Sequence, residues 1–217
     1  MILIVLLMGF LMSKLYIVGV GPGSKEYLTQ IAISTVSSVD VVIGSKRALD
    51  LFGIKAQKHE LNVKNMKNML NQSIIMVKEG KNVALLSTGD PGFSGILKPI
   101  LELEPHIDIE VIPGIGSVQL CAAKLKIPWD TANIVTMHGK GISEGIIDII
   151  NNGKPTIILP NFQPSELVHF LIEKGIDHQR KVAICERLSY EDEKIVKMSL
   201  KDVLSEEFSY MCVMVVY

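Results

Sequence analysis

The sequence predicts an α/β fold in two units. Short apolar runs alternate with helix-like patterns along the whole chain, the order that builds mainly parallel sheets. Three of those runs end in turns rich in glycine and proline, placed where the next helical pattern is about to begin. A chain of 217 residues is long enough for two such units, each with a buried core.

In chain order, strands are predicted at 15–20, 39–43, 83–86 and 107–112, with helices at 26–37, 64–79, 93–103 and 115–125 between or after them. The helix at 64–79 carries Met66, Met69, Leu70, Ile74 and Val77 at three- and four-residue spacing. This is an apolar stripe facing a core, with methionine as gap filler rather than metal ligand. After Pro128-Trp129-Asp130 the pattern restarts, with strands at 134–137, 156–159, 182–185, 195–198 and 211–216. The boundary is therefore set there, giving domains 14–128 and 129–217. The runs at 195–198 and 211–216 fit antiparallel, hairpin-like pairing, so the second sheet is expected to be mixed.

Residues 1–13 form an apolar extension. It opens without the positive region of a signal peptide, and Lys14 breaks it short of the roughly 18 residues a spanning helix requires. A translation start at Met12, which sets the first strand almost at the terminus, is the preferred expectation. Lys and Arg total 22 against 23 Asp and Glu, a net charge of −1. No whole-molecule field recruits nucleic acid or an anionic membrane, so an anionic substrate has to be held by local cations. Cys121, Cys185 and Cys212 are far apart in sequence, sit in apolar runs and form no Cys-x-x-Cys pair, which reads as buried reduced thiols of a cytoplasmic protein. His59, His106, His169 and His178 show no ligand spacing, and no metal site is expected.

The first turn, Gly19-Val20-Gly21-Pro22-Gly23, looks like the start of a dinucleotide fingerprint and departs from it. The third glycine should stand at position 24, which is Ser24, and Pro22 removes one N–H from a loop meant to cradle a pyrophosphate. The ribose-binding acid is missing too: the second strand exits into Gly44-Ser45-Lys46, and Asp40 stands at its entrance. The phosphate-loop pattern fails because Lys25 follows Ser24 rather than glycine. The second turn, Ser87-Thr88-Gly89-Asp90-Pro91-Gly92-Phe93-Ser94-Gly95, follows a strand and so lies at the carboxyl edge of its sheet, where ligands of open α/β sheets bind. Asp90 can be read there as the cap of the following helix. The third turn is Pro113-Gly114-Ile115-Gly116-Ser117. Three such turns at corresponding strand ends suggest one cleft lined by backbone groups, suited to a ligand that needs no dense set of phosphate donors.

In this order and spacing, Gly19 to Gly23, Gly89-Asp90-Pro91 with Gly95, and Pro113 to Ser117 resemble the three signatures of the tetrapyrrole methylase family, a likeness that runs from about Lys14 to the C-terminus. The resemblance implies two α/β domains with the active site in the cleft between them and S-adenosylmethionine as cofactor. It implies cofactor contacts from Pro22, Gly89, Asp90, Phe93, Ser117 and Val118, with Leu159 and Leu188 from the second domain. Downstream, Thr136-Met137-His138-Gly139-Lys140 and Glu186 to Glu193 are most similar to the members that methylate C5 of precorrin-7 or its cobalt form in cobalamin biosynthesis. Those members usually have His-Gly-Arg where Lys140 stands, so the cation is kept and its planar fork lost.

For that reaction the sulfonium methyl is already activated and the macrocycle is the nucleophile, so alignment is the protein's main task. His138 is the candidate base. Lys46, Arg47, Lys140 and Arg187 are the candidate cations for the carboxylates of the macrocycle. Any cobalt arrives inside the substrate. A homodimer is expected, with C15 methylation and decarboxylation left to a separate protein. The competing readings are a diphthine synthase-like methyltransferase and a non-catalytic sensor of tetrapyrrole or S-adenosylmethionine.

Overall fold

The computed structural model describes residues 13–53 and 55–217. Residues 1–12, and with them most of the apolar extension and the question of the start, lie outside the described residues. The chain divides by contact into two compact units, the first ending at Gly116 and the second running Ser117–Tyr217. The sequence reading drew its boundary after Pro128, so the helix at 117–125 is grouped with the second unit here.

The first unit contains strands β1 (Leu15–Gly19), β2 (Val41–Gly44), β3 (Gln57–Glu60), β4 (Val83–Ser87) and β5 (Ile109–Ile112). Its helices are α1 (Gln30–Ser38), α2 (Lys46–Asp50), α3 (Met66–Lys78) and α4 (Leu97–Leu103). The strands make one sheet in the order β3-β2-β4-β1-β5, every pair parallel. Strand residues alternate between two covered faces, which is why the central strands read as continuous apolar runs. Leu15, Ile17, Val41, Ile43, Val83 and Leu85 pack with Leu70, Ile74 and Val77 of α3 and Ile100 of α4. Val18, Val42, Ala84 and Leu86 point the other way, onto Ala32 and Val36 of α1 and Ala48 and Leu49 of α2. Met66 and Met69 flank the first of these clusters, the filler role their spacing predicted.

Two elements were not foreseen. β3 reads Gln57-Lys58-His59-Glu60, with no aliphatic residue, and is held as an edge strand by its ladder to β2 alone. α2 is a single short turn of helix started by Ser45, whose hydroxyl accepts from Ala48 N at 3.2 Å. Two predicted helices each start four residues late: α1 begins at Gln30 rather than 26, where Thr29 caps it, and α4 at Leu97 rather than 93. The chain before α4 is tightly wound, and a Cβ on Gly95 would lie 2.5 Å from Pro91 O and 2.6 Å from Ser87 Oγ.

The second unit opens with α5 (Ser117–Leu125) and contains β6 (Asn133–Thr136), β7 (Thr156–Leu159), β8 (Lys181–Glu186), β9 (Lys194–Ser199) and β10 (Cys212–Val216). Between them lie α6 (Gly145–Ile150), α7 (Pro164–Glu173) and α8 (Leu200–Val203). The sheet order is β6-β7-β10-β8-β9. It is mixed: β6 and β7 are parallel, while β10 runs antiparallel to both β7 and β8, and β9 antiparallel to β8. The antiparallel hairpin is therefore β8–β9, and β10 does not pair with β9. All five residues of Cys-Val-Met-Val-Val in β10 are buried, and an interior strand is the place where both faces of such a run are covered.

Ile150, Ile158, Leu167, Leu171, Ile184 and Met214 form the centre of one core layer. α5 packs against β7 and β10. The three cysteines are free and buried, as expected, but they are not far apart in space: Cys121 Sγ on α5 lies 3.5 Å from Cys185 Sγ on β8. The Cys185 thiol and burial together raise Cys121, and burial pushes Cys212 up to about 12, so both are protonated at neutral pH. Among the described residues no helix is long and apolar enough to cross a membrane, and no group of three or more His, Cys, Asp and Glu side chains is placed to hold a metal ion.

Candidate functional site

The register of the first sheet sets Gly19 opposite Ser87 and Val18 opposite Ile112, so β4, β1 and β5 end side by side. The three glycine-rich turns grow from those adjacent ends. Val20 N donates to Ser87 O at 2.9 Å and Gly89 N to Gly21 O at 2.8 Å, which makes a short antiparallel bridge between the first two turns. Gly21 (φ 75°) and Gly89 (φ 69°) both hold the left-handed conformation that residues with a Cβ avoid. Closer still is the contact with the third turn. A Cβ on Gly19 would lie 2.5 Å from Gly114 N and 2.8 Å from Gly89 O, and one on Gly114 would run into Gly89 O. Here the glycines serve backbone-to-backbone packing of three turns, a use different from the dinucleotide pattern they resemble.

Asp90 joins the second turn to the third. Its Oδ1 accepts from Gly92 N at 2.8 Å and its Oδ2 from Gly114 N at 3.1 Å. It is not the helix cap the sequence suggested, because α4 starts seven positions on, at Leu97. Pro22 is buried beside Gly21, and Phe93, 36% exposed, stands out from the same edge. Lys46 and Arg47 open α2 directly after β2, the strand on the other side of β4. Arg47 Nη2 reaches Thr88 Oγ1 in the second turn at 3.5 Å, while Lys46 is exposed.

In the second unit, β6, β7 and β8 point the same way across the mixed sheet, so Thr136, Leu159 and Glu186 end on one edge. His138 follows β6. Its N–H donates to Thr136 Oγ1 at 3.3 Å, its ring bonds the Leu159 backbone, and Nδ1 is buried with no partner among the described residues. Burial lowers its pKa below the ordinary 6.5, against the smaller opposing pull of the Leu159 bond. Lys140 is exposed two residues on, after Gly139 at φ 70°. Leu188 is buried in the turn after β8. Arg187, beside it, is drawn into its own turn: Nε meets Asp192 Oδ2 at 2.6 Å and the guanidinium lies 4.7 Å from the Tyr190 ring centroid. The Asp192 contact, against partial desolvation, raises Arg187 and holds the Asp192 carboxyl below its usual range.

Thus Pro22, Gly89, Asp90 and Phe93 share one edge of the first sheet with Lys46 and Arg47. His138, Lys140, Leu159, Arg187 and Leu188 share one edge of the second, and Ser117 and Val118 begin α5. Sequence reading assigned no role to Thr88, nor to Glu186, a buried carboxylate whose Oε1 accepts from Ser209 N at 2.6 Å. The signal for Glu186 was its charge at the end of an otherwise apolar strand run.

Two outcomes follow from this geometry. Gly19→Ala is expected to cost about 1–3 kcal/mol by overpacking, seen as a lowered denaturation midpoint. Gly141→Ala, where an added Cβ meets nothing within 4 Å, is expected to stay within about 0.5 kcal/mol of the parent. For His138, the folded-state pKa lies below the unfolded value, so the folded chain binds fewer protons as pH falls through 6.5 and stability drops there. Denaturation midpoints measured from about pH 7 down to about pH 5 should fall less steeply in His138→Gln than in the parent.

The sequence profile of the tetrapyrrole (corrin/porphyrin) methylases matches residues 14–204. A probable cobalt-precorrin-7 C(5)-methyltransferase of Methanocaldococcus jannaschii is 45% identical over 204 residues, covering 93% of this chain and 96% of the relative. Among solved structures, the precorrin-6Y methylase of cobalamin biosynthesis from Archaeoglobus fulgidus superposes with a TM-score of 0.73 at 24% identity, covering 94% of this chain and 97% of that one. The uroporphyrin-III C-methyl transferase of Thermus thermophilus, complexed with S-adenosyl homocysteine, gives a TM-score of 0.77 at 20% identity, with 94% and 91% covered. The two structures share the fold, and the profile and the archaeal relative extend the likeness through both units: this chain belongs to the tetrapyrrole methylase family.

Proposed function

We propose that this chain transfers a methyl group from S-adenosylmethionine to C5 of a corrin precursor, precorrin-7 or its cobalt form. The observation that carries the reading is the 45% identity to the archaeal C5-methyltransferase over nearly the full length of both chains. The chemistry of the first unit's edge fits the cofactor. Its groups are backbone N–H and C=O with one carboxylate, Asp90, while Lys46 and Arg47 come in from β2, on the far side of β4, with Arg47 reaching only the Thr88 hydroxyl of the second turn. Such a set suits a ligand of net positive charge that carries no phosphate.

Pro22, Gly89, Asp90, Phe93, Ser117, Val118, Leu159 and Leu188 are the residues assigned to hold it. When bound, the cofactor supplies a methyl group already activated by the sulfonium. The residues of the chain then have to hold donor and acceptor in register, an effect that can remove roughly 7–11 kcal/mol of barrier. Glycine turns interlocked as closely as Gly19, Gly89 and Gly114 give that edge little freedom to drift. Lys46, Arg47 and Lys140 are assigned to the substrate's carboxylates, and Arg187, committed to Asp192 through Nε, adds the remaining donors of its fork.

His138 is assigned the proton. Its Nδ1 is buried with no hydrogen-bond partner among the described residues, and in the neutral ring a lone pair at that atom is the acceptor required for a proton released from carbon. Burial keeps the ring neutral near pH 7. The reading extends to a homodimer working in the cytoplasm, with C15 methylation and decarboxylation carried out by a separate protein.

Incubation with methyl-labelled S-adenosylmethionine and cobalt-precorrin-7 tests the assignment. Label recovered at C5 of the macrocycle is the expected result. Binding without transfer would favour a sensor, and transfer only to a histidine-modified translation factor would favour the diphthine reaction. Asp90→Ala, which frees Gly92 N and Gly114 N, is expected to weaken S-adenosylmethionine binding in calorimetry by about tenfold. Charge reversal at Lys46 and Arg47 together is expected to raise KM for the macrocycle while leaving cofactor affinity unchanged.

A further inference from the structure

The turn between β8 and β9 holds an unusual backbone. Arg187 (φ 46°) and Ser189 (φ 73°), neither of them glycine, are both left-handed, and Leu188 is buried between them. Side-chain-bearing residues adopt this conformation only where surrounding contacts over-determine it, and such contacts concentrate where a fixed shape is used. Arg187 is fixed by Asp192, by the Tyr190 ring and by its N–H to Met211 O at 2.8 Å. Ser189 is fixed by Glu193, whose Oε2 accepts its N–H at 2.8 Å while Oε1 meets Lys124 Nζ at 2.7 Å.

Lys124 lies in the last turn of α5, the helix that Ser117 and Val118 begin. Glu193 thus couples the turn carrying Leu188 to the helix carrying two other assigned cofactor residues. Desolvation pulls its carboxyl upward, and Lys124 and the Ser189 N–H outweigh that pull, leaving it ionised and able to serve both partners.

We propose that Glu193 is a positioning residue for methyl transfer: clamped between Lys124 and Ser189, it holds the left-handed turn that sets Leu188 at the carboxyl edge of the second sheet, the edge at which β6 and β7 also end, carrying His138 and Leu159. The proposal rests on the assignment of Leu188 and Leu159 to the S-adenosylmethionine site. Glu193 touches neither reactant and acts through the Ser189 backbone. Its removal relaxes the turn toward ordinary backbone angles and moves Leu188, with Arg187 following.

Calorimetric affinity for S-adenosylmethionine and S-adenosylhomocysteine, steady-state KM and kcat, and thermal midpoint should be measured for the parent, Glu193→Ala, Glu193→Gln and Lys124→Met. Glu193→Ala is expected to raise Kd and KM for S-adenosylmethionine about tenfold, the loss of one hydrogen bond to a charged group. Glu193→Gln keeps an acceptor for Ser189 N–H and is expected to restore affinity to within about threefold of the parent. Lys124→Met falls between the two, and serves in place of Glu193→Ala should that variant not fold. Folded variants that bind as the parent does, or losses that follow the thermal midpoint and vanish per folded molecule, would overturn the proposal and leave the methyltransferase reading standing. A parent that binds no S-adenosylmethionine would overturn both.

Discussion

At the carboxyl edge of the first sheet, Gly114 N and Gly89 O occupy the volume that a side chain on Gly19 would need, and much of the first unit is arranged to keep that contact. Only adjacent parallel strands in register can deliver three turns to one place, and β4-β1-β5 do so with Gly19 level with Ser87. The helices cover the sheet's faces and leave the edge to the turns. Asp90 then stitches the second turn to the third with hydrogen bonds to Gly92 and Gly114. Once backbones touch, specificity of shape comes from main-chain groups, whose positions vary far less than those of long side chains.

The second unit reaches a fixed edge by other means. Its turns contain few glycines in close contact, and Gly139 and Gly141 would meet nothing with an added Cβ. Instead, side chains hold the backbone: Thr136 receives the N–H of His138, Glu186 that of Ser209, and Glu193 that of Ser189. One edge is made precise by what is missing from its residues and the other by carboxylates and hydroxyls. Both edges include carboxylate acceptors that weaken when protonated, Asp90 in the first and Glu186 and Glu193 in the second, but only the first also has close main-chain packing that is indifferent to pH.

The strands of both cores were legible because buried strands of α/β sheets are unbroken apolar runs, and the three turns because glycine and proline punctuate them. β3 was not, since an edge strand paired on one side can be made from Gln57, Lys58, His59 and Glu60 with no apolar signal at all. The central position of β10 was hidden for a related reason. A run such as Cys212–Val216 states that both faces are covered, but not by which neighbours. Of the candidate site, residue types were readable and partners were not. Asp90 was visible as a turn residue but its bond to Gly114 spans the whole of α4 and β5, and Arg187 was visible as a cation but its engagement with Asp192 depends on a left-handed turn. The closeness of Cys121 and Cys185, on a helix and a strand distant in sequence, is likewise a product of packing alone.

The two sheets also differ in the order in which their strands become available. In the first, β1 and β2 precede β4, which joins them, and β5 adds at the rim. In the second, the strand synthesised after all the others lies between β7 and β8, and those two have no ladder with each other. Until β10 arrives, the second unit consists of two separate strand pairs, β6-β7 and β8-β9, each with an unpaired inner edge. Non-local pairing of this kind is slow, and exposed inner edges are open to mispairing in the interval. Each sheet thus depends on a later strand to join two earlier ones, but in the first that strand, β4, comes before the rim strand β5, whereas in the second the joining strand follows both pairs and leaves two inner edges open until it docks.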